Sequence, residues 1–205
     1  MPKAYSEPGK ERIRRTLLQK GREYFIRYGI KKTSVEELTR AAGIAKGSFY
    51  KFFDSKEALF MAVHEESEAK LQQDMFRKLE GIRDPAERIR AFLKNSFLLL
   101  EEDPLLRMVF GTDDLASLAG FMSTEQFGEH YRRDLSFLGE MLAGWQAEGT
   151  VRKDLDIDVA ANMLASIYYI VLRKESIGRD MYDKVTDMII DCLSGYFAAT
   201  EQQNG

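Results

Sequence analysis

Apolar residues recur at intervals of three and four along nearly the whole chain, a spacing that places side chains on one face of an α-helix. No stretch of strict apolar and polar alternation is long enough to predict a β-sheet. The pattern therefore predicts an all-α protein.

Caps and glycines predict three helices near the N-terminus. The first helix has a basic face opposite an apolar face made by Ile13, Leu17, Gly21, Tyr24, Phe25 and Tyr28. Gly29 ends this helix. Ser34 and Glu37 have capping-box spacing and open a short second helix, after which Gly43 supplies a turn. A third short helix is predicted from about Ala45 to Phe52. Two short helices joined by a glycine turn have the outline of a helix-turn-helix.

The rest of the chain predicts further helices, most of them long. Capping residues mark where they begin: Ser55, Asp84 before Pro85, Asp103 before Pro104, Ser123, and Asp156 or Asp158. The Glu148-Gly149 pair closes the helix that begins at Ser123, and a last helix runs from about Tyr182 to Phe197. Residues 111–120 are less regular and fit either a short helix or a loop. The polar tail from Glu201 is expected to fray.

Charge is divided unevenly between the two ends of the chain. Residues 1–56 hold 14 Lys or Arg and 6 Asp or Glu, a balance of +8, whereas residues 57–205 have a balance of −11. The net charge of −3 hides this division. A basic module on an acidic body suggests that one end meets a polyanion. The alternative is chance clustering of charges on solvated helix faces.

The composition also bears on the compartment. No segment approaches the eighteen or so consecutive apolar residues that a membrane span needs, and Met1–Lys20 is polar where a signal peptide would be apolar. We therefore expect a cytoplasmic protein with no membrane partner. Cys192 is the single cysteine, so no internal disulfide can form. A place at an interface or in the core is more typical of such a residue than a redox role.

Catalytic and metal-binding motifs are not found. His64 and His130 lie far apart and lack the spacing of metal ligands. The chain has no serine elbow, phosphate loop or clustered carboxylate motif. We accordingly predict no enzyme activity, no metal and no cofactor.

The segment Ala42–Phe53 reads AGIAKGSFYKFF and is followed by Ser55-Lys56-Glu57 and Leu59. It resembles the signature of the TetR family of bacterial repressors, and Thr33–Val35 with Leu38 falls in the same register. The resemblance extends over about residues 12–60. It implies an N-terminal three-helix helix-turn-helix domain, followed by a C-terminal helical bundle for ligand binding and dimerisation. We assign residues 1–56 to the first domain and 57–205 to the second.

The residues around the third helix suit DNA on chemical grounds. Gly47 inside a helix costs about 1 kcal/mol relative to alanine, so its presence suggests close approach of a phosphate to the backbone. Lys46 and Ser48 can meet base edges or phosphates. Lys56 lies in a first helical turn, where a phosphate is favoured. The resemblance assigns DNA contacts to Thr33, Ser34, Ala45, Lys46, Gly47, Ser48, Tyr50, Lys51 and Lys56.

Several aromatic residues in this segment have alternative roles. Phe49 and Phe53 are four apart and are expected in the core. Tyr50 offers a phenolic donor to DNA but would also suit packing. Phe52 stands where the family often has a polar or tyrosyl residue, and it either touches a thymine methyl or packs inward. Ala45 replaces a common serine, so the operator sequence cannot be inferred from relatives.

A homodimer is expected because one recognition helix reads few base pairs, and twofold symmetry doubles the site on a palindromic double-stranded operator. The resemblance implies that the last two helices pair with their symmetry mates in a four-helix bundle. The predicted interface comprises Leu164, Ile167, Tyr168, Val171, Ile189, Leu193 and Phe197. The alternative is that these residues are buried inside one chain.

The resemblance also implies a ligand pocket in the C-terminal body, and flexible or aromatic side chains suit an apolar cavity. The predicted lining is Phe97, Met108, Phe110, Phe127, Tyr131, Trp145 and Tyr169, although core packing is the more typical role for each. We expect a repressor that a small apolar or amphipathic effector releases from its operator. The alternatives are an activator, or a DNA-binding protein whose body is a protein-interaction module without an effector.

Overall fold

The computed structural model describes residues 6–110, 124–171 and 174–199, and there the chain is helical, with an isolated antiparallel bridge between Val151 and Ala198. The helices are α1 (Glu7–Lys32), α2 (Val35–Ala41), α3 (Lys46–Phe49), α4 (Lys56–Leu79), α5 (Pro85–Glu102), α6 (Pro104–Phe110), α7 (Thr124–Ala147), α8 (Ile157–Val171), α9 (Lys174–Ile177) and α10 (Arg179–Phe197). The predicted all-α fold is confirmed.

Helix α1 is interrupted, and α2 begins, at the residues that the sequence predicted. The regular helix of α1 is interrupted at Gly29, whose φ of 76° is in the left-handed region. Ser34 Oγ accepts the Glu37 N–H at 3.2 Å, and the Glu37 carboxylate accepts the Ser34 N–H at 2.9 Å. The Ser34 hydroxyl and backbone amide both stabilise the carboxylate and lower the pKa of Glu37. The capping box at the start of α2 is therefore confirmed.

Helix α3 is shorter than the sequence predicted. It ends at Phe49 instead of about Phe52. Beyond it the Lys51 N–H donates to the Ser48 carbonyl at 3.2 Å, and the Phe52 N–H donates to the Phe49 carbonyl at 2.9 Å. Each of these hydrogen bonds joins residues three apart, where an α-helix joins residues four apart, and so the chain tightens into a turn. The apolar periodicity of the sequence does not reveal this turn.

The later helix starts also agree with their predicted caps. Asp84 Oδ1 accepts the Glu87 N–H at 2.8 Å, with Pro85 in the first turn of α5. Asp156 Oδ1 accepts the Val159 N–H at 3.1 Å, so of the two aspartates proposed for the start of α8 it is Asp156 that caps. The predicted start at Ser123 and the ambiguous segment 111–120 lie outside the described residues.

The chain divides into two compact units. The first comprises residues 1–70 and 104–108, and the second comprises 71–103 and 109–205. Helices α1, α2 and α3 pack together in the first unit, where Leu17, Phe25 and Leu38 are fully enclosed. In the second unit α7 packs on α8, and α5 packs on α8 and α10. Its core includes Phe92, Leu142, Trp145, Leu164, Ile190 and Phe197.

A polar cluster joins three helices of the second unit. The Tyr182 hydroxyl of α10 donates to Glu101 Oε1 of α5 at 2.8 Å. The Lys174 ammonium of α9 pairs with the same carboxylate and lies 4.8 Å from the centre of the Tyr182 ring. Burial and the bond to Glu101 raise the pKa of the Tyr182 phenol. Tyr182 therefore stays a neutral donor that holds the end of α5 beside α9 and α10.

Within the described ranges, no helix is both long and apolar enough to cross a membrane, and no group of three or more metal-ligating side chains comes together. His64 is enclosed, with its Nδ1 3.3 Å from Glu68 Oε2. Cys192 is exposed on α10, so of the two expected places, an interface or the core, it does not lie in the core. The side chain of His130 lies outside the described residues.

Candidate nucleic-acid interface

The segment from Ala45 to Lys51 presents most of its side chains to solvent. Lys46, Tyr50 and Lys51 are exposed, and Tyr50 keeps 53% of its surface accessible. Phe49 is enclosed and Phe53 is buried, so both are core residues as expected. Phe49 also supports Tyr50 edge to face, with ring centroids 5.5 Å apart. The segment therefore exposes two cations and a phenol, and the aromatic rings of Phe49 and Phe53 beside them are buried.

Gly47 lies on the open side of α3. A Cβ placed there would meet no atom within 4 Å, so packing inside the chain does not require glycine at this position. Its φ is not in the left-handed region either. Close approach of an outside group to the backbone is the remaining physical reason for the glycine. The predicted phosphate contact at Gly47 therefore remains a prediction that this geometry favours.

The side chain of Thr33 is buried, and the predicted DNA contact of the Thr33-Ser34 region stays a prediction. Only 1% of Thr33 is exposed, and its hydroxyl donates to the Gly29 carbonyl at 2.8 Å. This bond fastens the residue to the end of α1, which leaves the hydroxyl turned away from solvent. Ser34 is exposed, with its hydroxyl held by Glu37 at 2.7 Å as part of the capping box. Any Ser34 contact with DNA remains a prediction.

Lys56 has a structural partner that its sequence position did not reveal. Its ammonium donates to the carbonyls of Ile30 at 2.8 Å and Thr33 at 2.9 Å, with Lys31 O at 3.5 Å. The side chain therefore satisfies carbonyl groups at the end of α1 and ties that end to the start of α4. A phosphate contact by Lys56 stays a prediction, and the geometry adds a positioning role.

Replacing Lys56 by methionine should lower the free energy of unfolding by about 1–3 kcal/mol, because the half-buried Ile30 and Thr33 carbonyls lose their charged donor. Urea unfolding followed by circular dichroism measures the change. Lys51→Met is the matched control, since Lys51 is exposed and its loss should cost less than about 0.5 kcal/mol. Equal stability of the two variants would contradict this role.

The start of α1 lies beside the recognition segment, which sequence reasoning did not predict. A cleft of about 450 Å³ is lined by Glu7, Pro8, Lys10, Glu11, Arg14, Lys51 and Phe52. The Arg14 guanidinium lies over the Phe53 ring, 5.4 Å from its centre. Half-buried Phe52 lines this cleft, and its two predicted roles, thymine contact and inward packing, both stay predictions. The basic face of the first helix was the one feature of the sequence that could have indicated that α1 lies beside the recognition segment.

The predicted pocket residues have different surroundings. Phe97 and Trp145 belong to the packed core of the second unit, and Phe92 meets Trp145 edge to face at 5.4 Å. Tyr131 is exposed and donates to Asn162 Oδ1 at 3.3 Å. Met108 belongs to the first compact unit. The side chains of Phe110, Phe127 and Tyr169 lie outside the described residues. Packing accounts for Phe97 and Trp145, and the pocket remains a prediction.

Three of the predicted interface residues are buried inside the chain. Leu164, Leu193 and Phe197 keep at most 8% of their surface and contact the core of the second unit. This burial favours the alternative that they pack inside one chain, and their place in a dimer interface stays a prediction. Ile167 and Ile189 are half-buried at the edge of the core. The side chains of Tyr168 and Val171 are not described.

A different side of α10 is apolar and open. Exposed Met181, Met188, Cys192 and Tyr196 follow one another at intervals of seven, four and four residues, which places them on one helical face that we call the apolar stripe. Met188 keeps 68% of its surface accessible. On α8, Val159 and Met163 are exposed as well. Spacing within α10 could have identified the stripe, although it could not show which face was open.

Comparison with known proteins agrees with this architecture. The family model described as bacterial regulatory proteins, tetR family, matches residues 17–63. The transcriptional repressor DhaR of Mycobacterium sp. (strain GP1) is 29% identical over 184 residues, which cover 88% of this chain and 92% of DhaR. The matched region of the family model contains α2, α3 and the start of α4.

Two solved structures have the same fold. FadR of Bacillus subtilis, in complex with stearoyl-CoA, aligns with a TM-score of 0.64 at 17% identity. The alignment covers 89% of this chain and 98% of the FadR chain. AibR, in complex with isovaleryl coenzyme A and operator DNA, aligns with a TM-score of 0.57 at 17% identity, over 88% and 97% of the two chains. The helix-turn-helix, the family match over residues 17–63 and the long alignment with DhaR confirm the resemblance seen in the sequence: this chain is similar to the TetR family of bacterial regulatory proteins, which are DNA-binding regulators and not enzymes.

Proposed function

We propose that the protein is a transcriptional repressor that binds a palindromic operator as a homodimer and leaves it when a small acyl thioester binds the second unit. The observation that carries this proposal is the exposed surface of Lys46, Gly47, Tyr50 and Lys51 above the buried ring of Phe49. Cations and a phenol on a short helix and in the turn directly after it, next to an open glycine, suit phosphates and base edges of a major groove. Repression is supported by the relative DhaR, which is named a repressor.

The dimeric state is supported by the apolar stripe. Met181, Met188 and Tyr196 each keep more than half of their surface in a single chain. A run of large exposed apolar side chains along one helix is typical of a protein interface. Pairing of two copies along this face would cover the stripe and bring two recognition segments into one assembly, as a twofold operator requires.

The class of effector is proposed from two relatives of the same fold. FadR was solved with stearoyl-CoA and AibR with isovaleryl coenzyme A. Both ligands are acyl thioesters that join an apolar chain to a phosphate-bearing nucleotide. The predicted pocket of the second unit, with its flexible and aromatic side chains, would take the acyl chain.

The proposal is tested by selecting bound DNA from a random pool with the purified protein. A palindrome with half-sites separated by about one helical turn, roughly 34 Å, is the expected product. On that DNA, Lys46→Ala should weaken binding and reduce the salt slope by about 1 for each protomer, because one phosphate or base contact is lost. Release of the DNA by isovaleryl coenzyme A tests the effector.

Lys94→Ala is the matched control, since Lys94 is an exposed lysine on α5 in the second unit. Its salt slope and affinity should equal those of the unmodified protein. Identical binding isotherms for Lys46→Ala and Lys94→Ala would contradict the assignment of the recognition surface. Selection of sequences without twofold symmetry would contradict the dimeric operator.

A further inference from the structure

We propose that the turn between α4 and α5 forms a second binding pocket, which takes an amphiphilic anion. The cavity has a volume of about 320 Å³, within the range of small-molecule sites, and belongs to the second compact unit. It is lined by Phe76, Leu79, Glu80, Gly81, Ile82, Arg83 and Arg88. None of the residues predicted to line the effector pocket lines this cavity.

One side of the pocket is cationic. Arg83 is exposed and makes no ion pair with any described residue, so its guanidinium is available to a ligand. Arg88 supplies a second guanidinium, and Glu80 supplies the single carboxylate of the lining. The balance of the lining is therefore positive. Arginine presents its donors in a planar fork that matches carboxylate and phosphate oxygens.

Arg88 is held in place before any ligand arrives. Its guanidinium lies over the Trp145 ring, 5.1 Å from the centre, and its Nη1 donates to Glu148 Oε2 at 2.9 Å. Its Nε–H is buried and has no acceptor among the described residues. A buried donor without an acceptor is unfavourable, and a ligand oxygen that reached this guanidinium would relieve it. The fixed geometry reduces the ordering that binding requires.

The other side of the pocket is apolar. Phe76 keeps 40% of its surface accessible, and its ring meets Phe137 edge to face at 6.0 Å. Leu79 and Ile82 complete this wall, and Gly81, with a φ of 81°, turns the chain tightly between them. A lining that combines an exposed aromatic ring with two guanidinium groups fits a molecule that joins an apolar or aromatic body to a carboxylate, sulfonate or phosphate.

The test uses anilinonaphthalenesulfonate, an aromatic anion whose fluorescence increases when it binds in an apolar site. The unmodified full chain should bind it saturably. Arg83→Glu should raise the dissociation constant about tenfold, because a carboxylate replaces the exposed cation of the pocket. Arg77→Glu is the matched control, since Arg77 is an exposed arginine near the end of α4 that does not line the pocket. Its dissociation constant should not change.

Arg88→Gln tests the second guanidinium, and its thermal unfolding is measured alongside because Arg88 also contacts Trp145 and Glu148. Arg83 makes no such contact with any described residue, so the Arg83→Glu variant decides the proposal by itself. Competition by hexanoate and by coenzyme A distinguishes a carboxylate from a phosphate as the preferred anion.

Equal dissociation constants for Arg83→Glu and Arg77→Glu, or no saturable binding at all, would overturn the proposal of this pocket. Release of operator DNA by isovaleryl coenzyme A is scored separately, so failure of the proposed effector leaves this result unaffected.

Discussion

Met188→Asp should leave the protein monomeric and reduce its affinity for a palindromic operator at least about 100-fold. Met188 is the most exposed of the large apolar residues on the apolar stripe, with 68% of its surface accessible. In a twofold assembly through this face, the change would bury two carboxylates in an apolar contact, and an unpaired buried charge costs several kcal/mol. Loss of the second recognition segment then removes half of the DNA contacts. Light scattering after gel filtration measures the mass, and fluorescence anisotropy measures the affinity.

Leu98→Asp is the matched control for that experiment. Leu98 is 46% exposed on α5, so it introduces the same charge at an exposed apolar position away from the stripe. It should remain dimeric and bind the operator normally. The single cysteine adds an independent measurement, because Cys192 lies within the stripe and a short bifunctional maleimide should join two chains through it. A dimeric Met188→Asp protein with normal affinity would show that another face makes the dimer.

Trp145→Ala should lower the free energy of unfolding by about 3–5 kcal/mol, the usual cost of truncating a buried tryptophan. Trp145 keeps 4% of its surface and packs edge to face on Phe92. It also supports the Arg88 guanidinium, so the variant removes a packed ring and a cation contact together. Because Trp145 is the single tryptophan, unfolding in urea is followed by circular dichroism instead of intrinsic fluorescence.

Two further variants calibrate this measurement. Trp145→Phe retains a ring and should lose less stability than Trp145→Ala, since the cavity that remains is smaller. Leu98→Ala removes an exposed side chain and should cost less than about 1 kcal/mol. A cost for Trp145→Ala no larger than that of Leu98→Ala would show that the ring does not stabilise the core.

Local signals in the sequence predicted the helices well. The caps at Ser34, Asp84 and Asp156 and the break at Gly29 depend on short-range geometry, and each is found in the structure. The end of α3 was misplaced because Lys51 and Phe52 have ordinary helix propensities, and the turn there follows from packing of Phe49 and Phe53 in the core.

Contacts between helices were harder to predict. Leu193 and Met188 are both apolar and lie on the same helix, and only the position of α5 decides that Leu193 is buried and Met188 is open. Lys46 and Lys56 are equally plausible DNA ligands in the sequence. The structure separates them, because the end of α1 comes close enough to bind the Lys56 ammonium. The sequence pattern identifies an apolar or charged face, and tertiary packing determines what that face meets.

The boundary between the two compact units falls at residue 70, inside the continuous helix α4. A proteolytic or recombinant fragment that stopped at Lys56 would therefore lack Leu59, Phe60 and Val63, each of which is almost fully enclosed. Phe25 would lose the Phe60 ring that lies 5.3 Å away, and Gly21 would lose Leu59. Isolated DNA-binding fragments of this protein should consequently extend to at least Lys70, and shorter ones should expose apolar surface and aggregate.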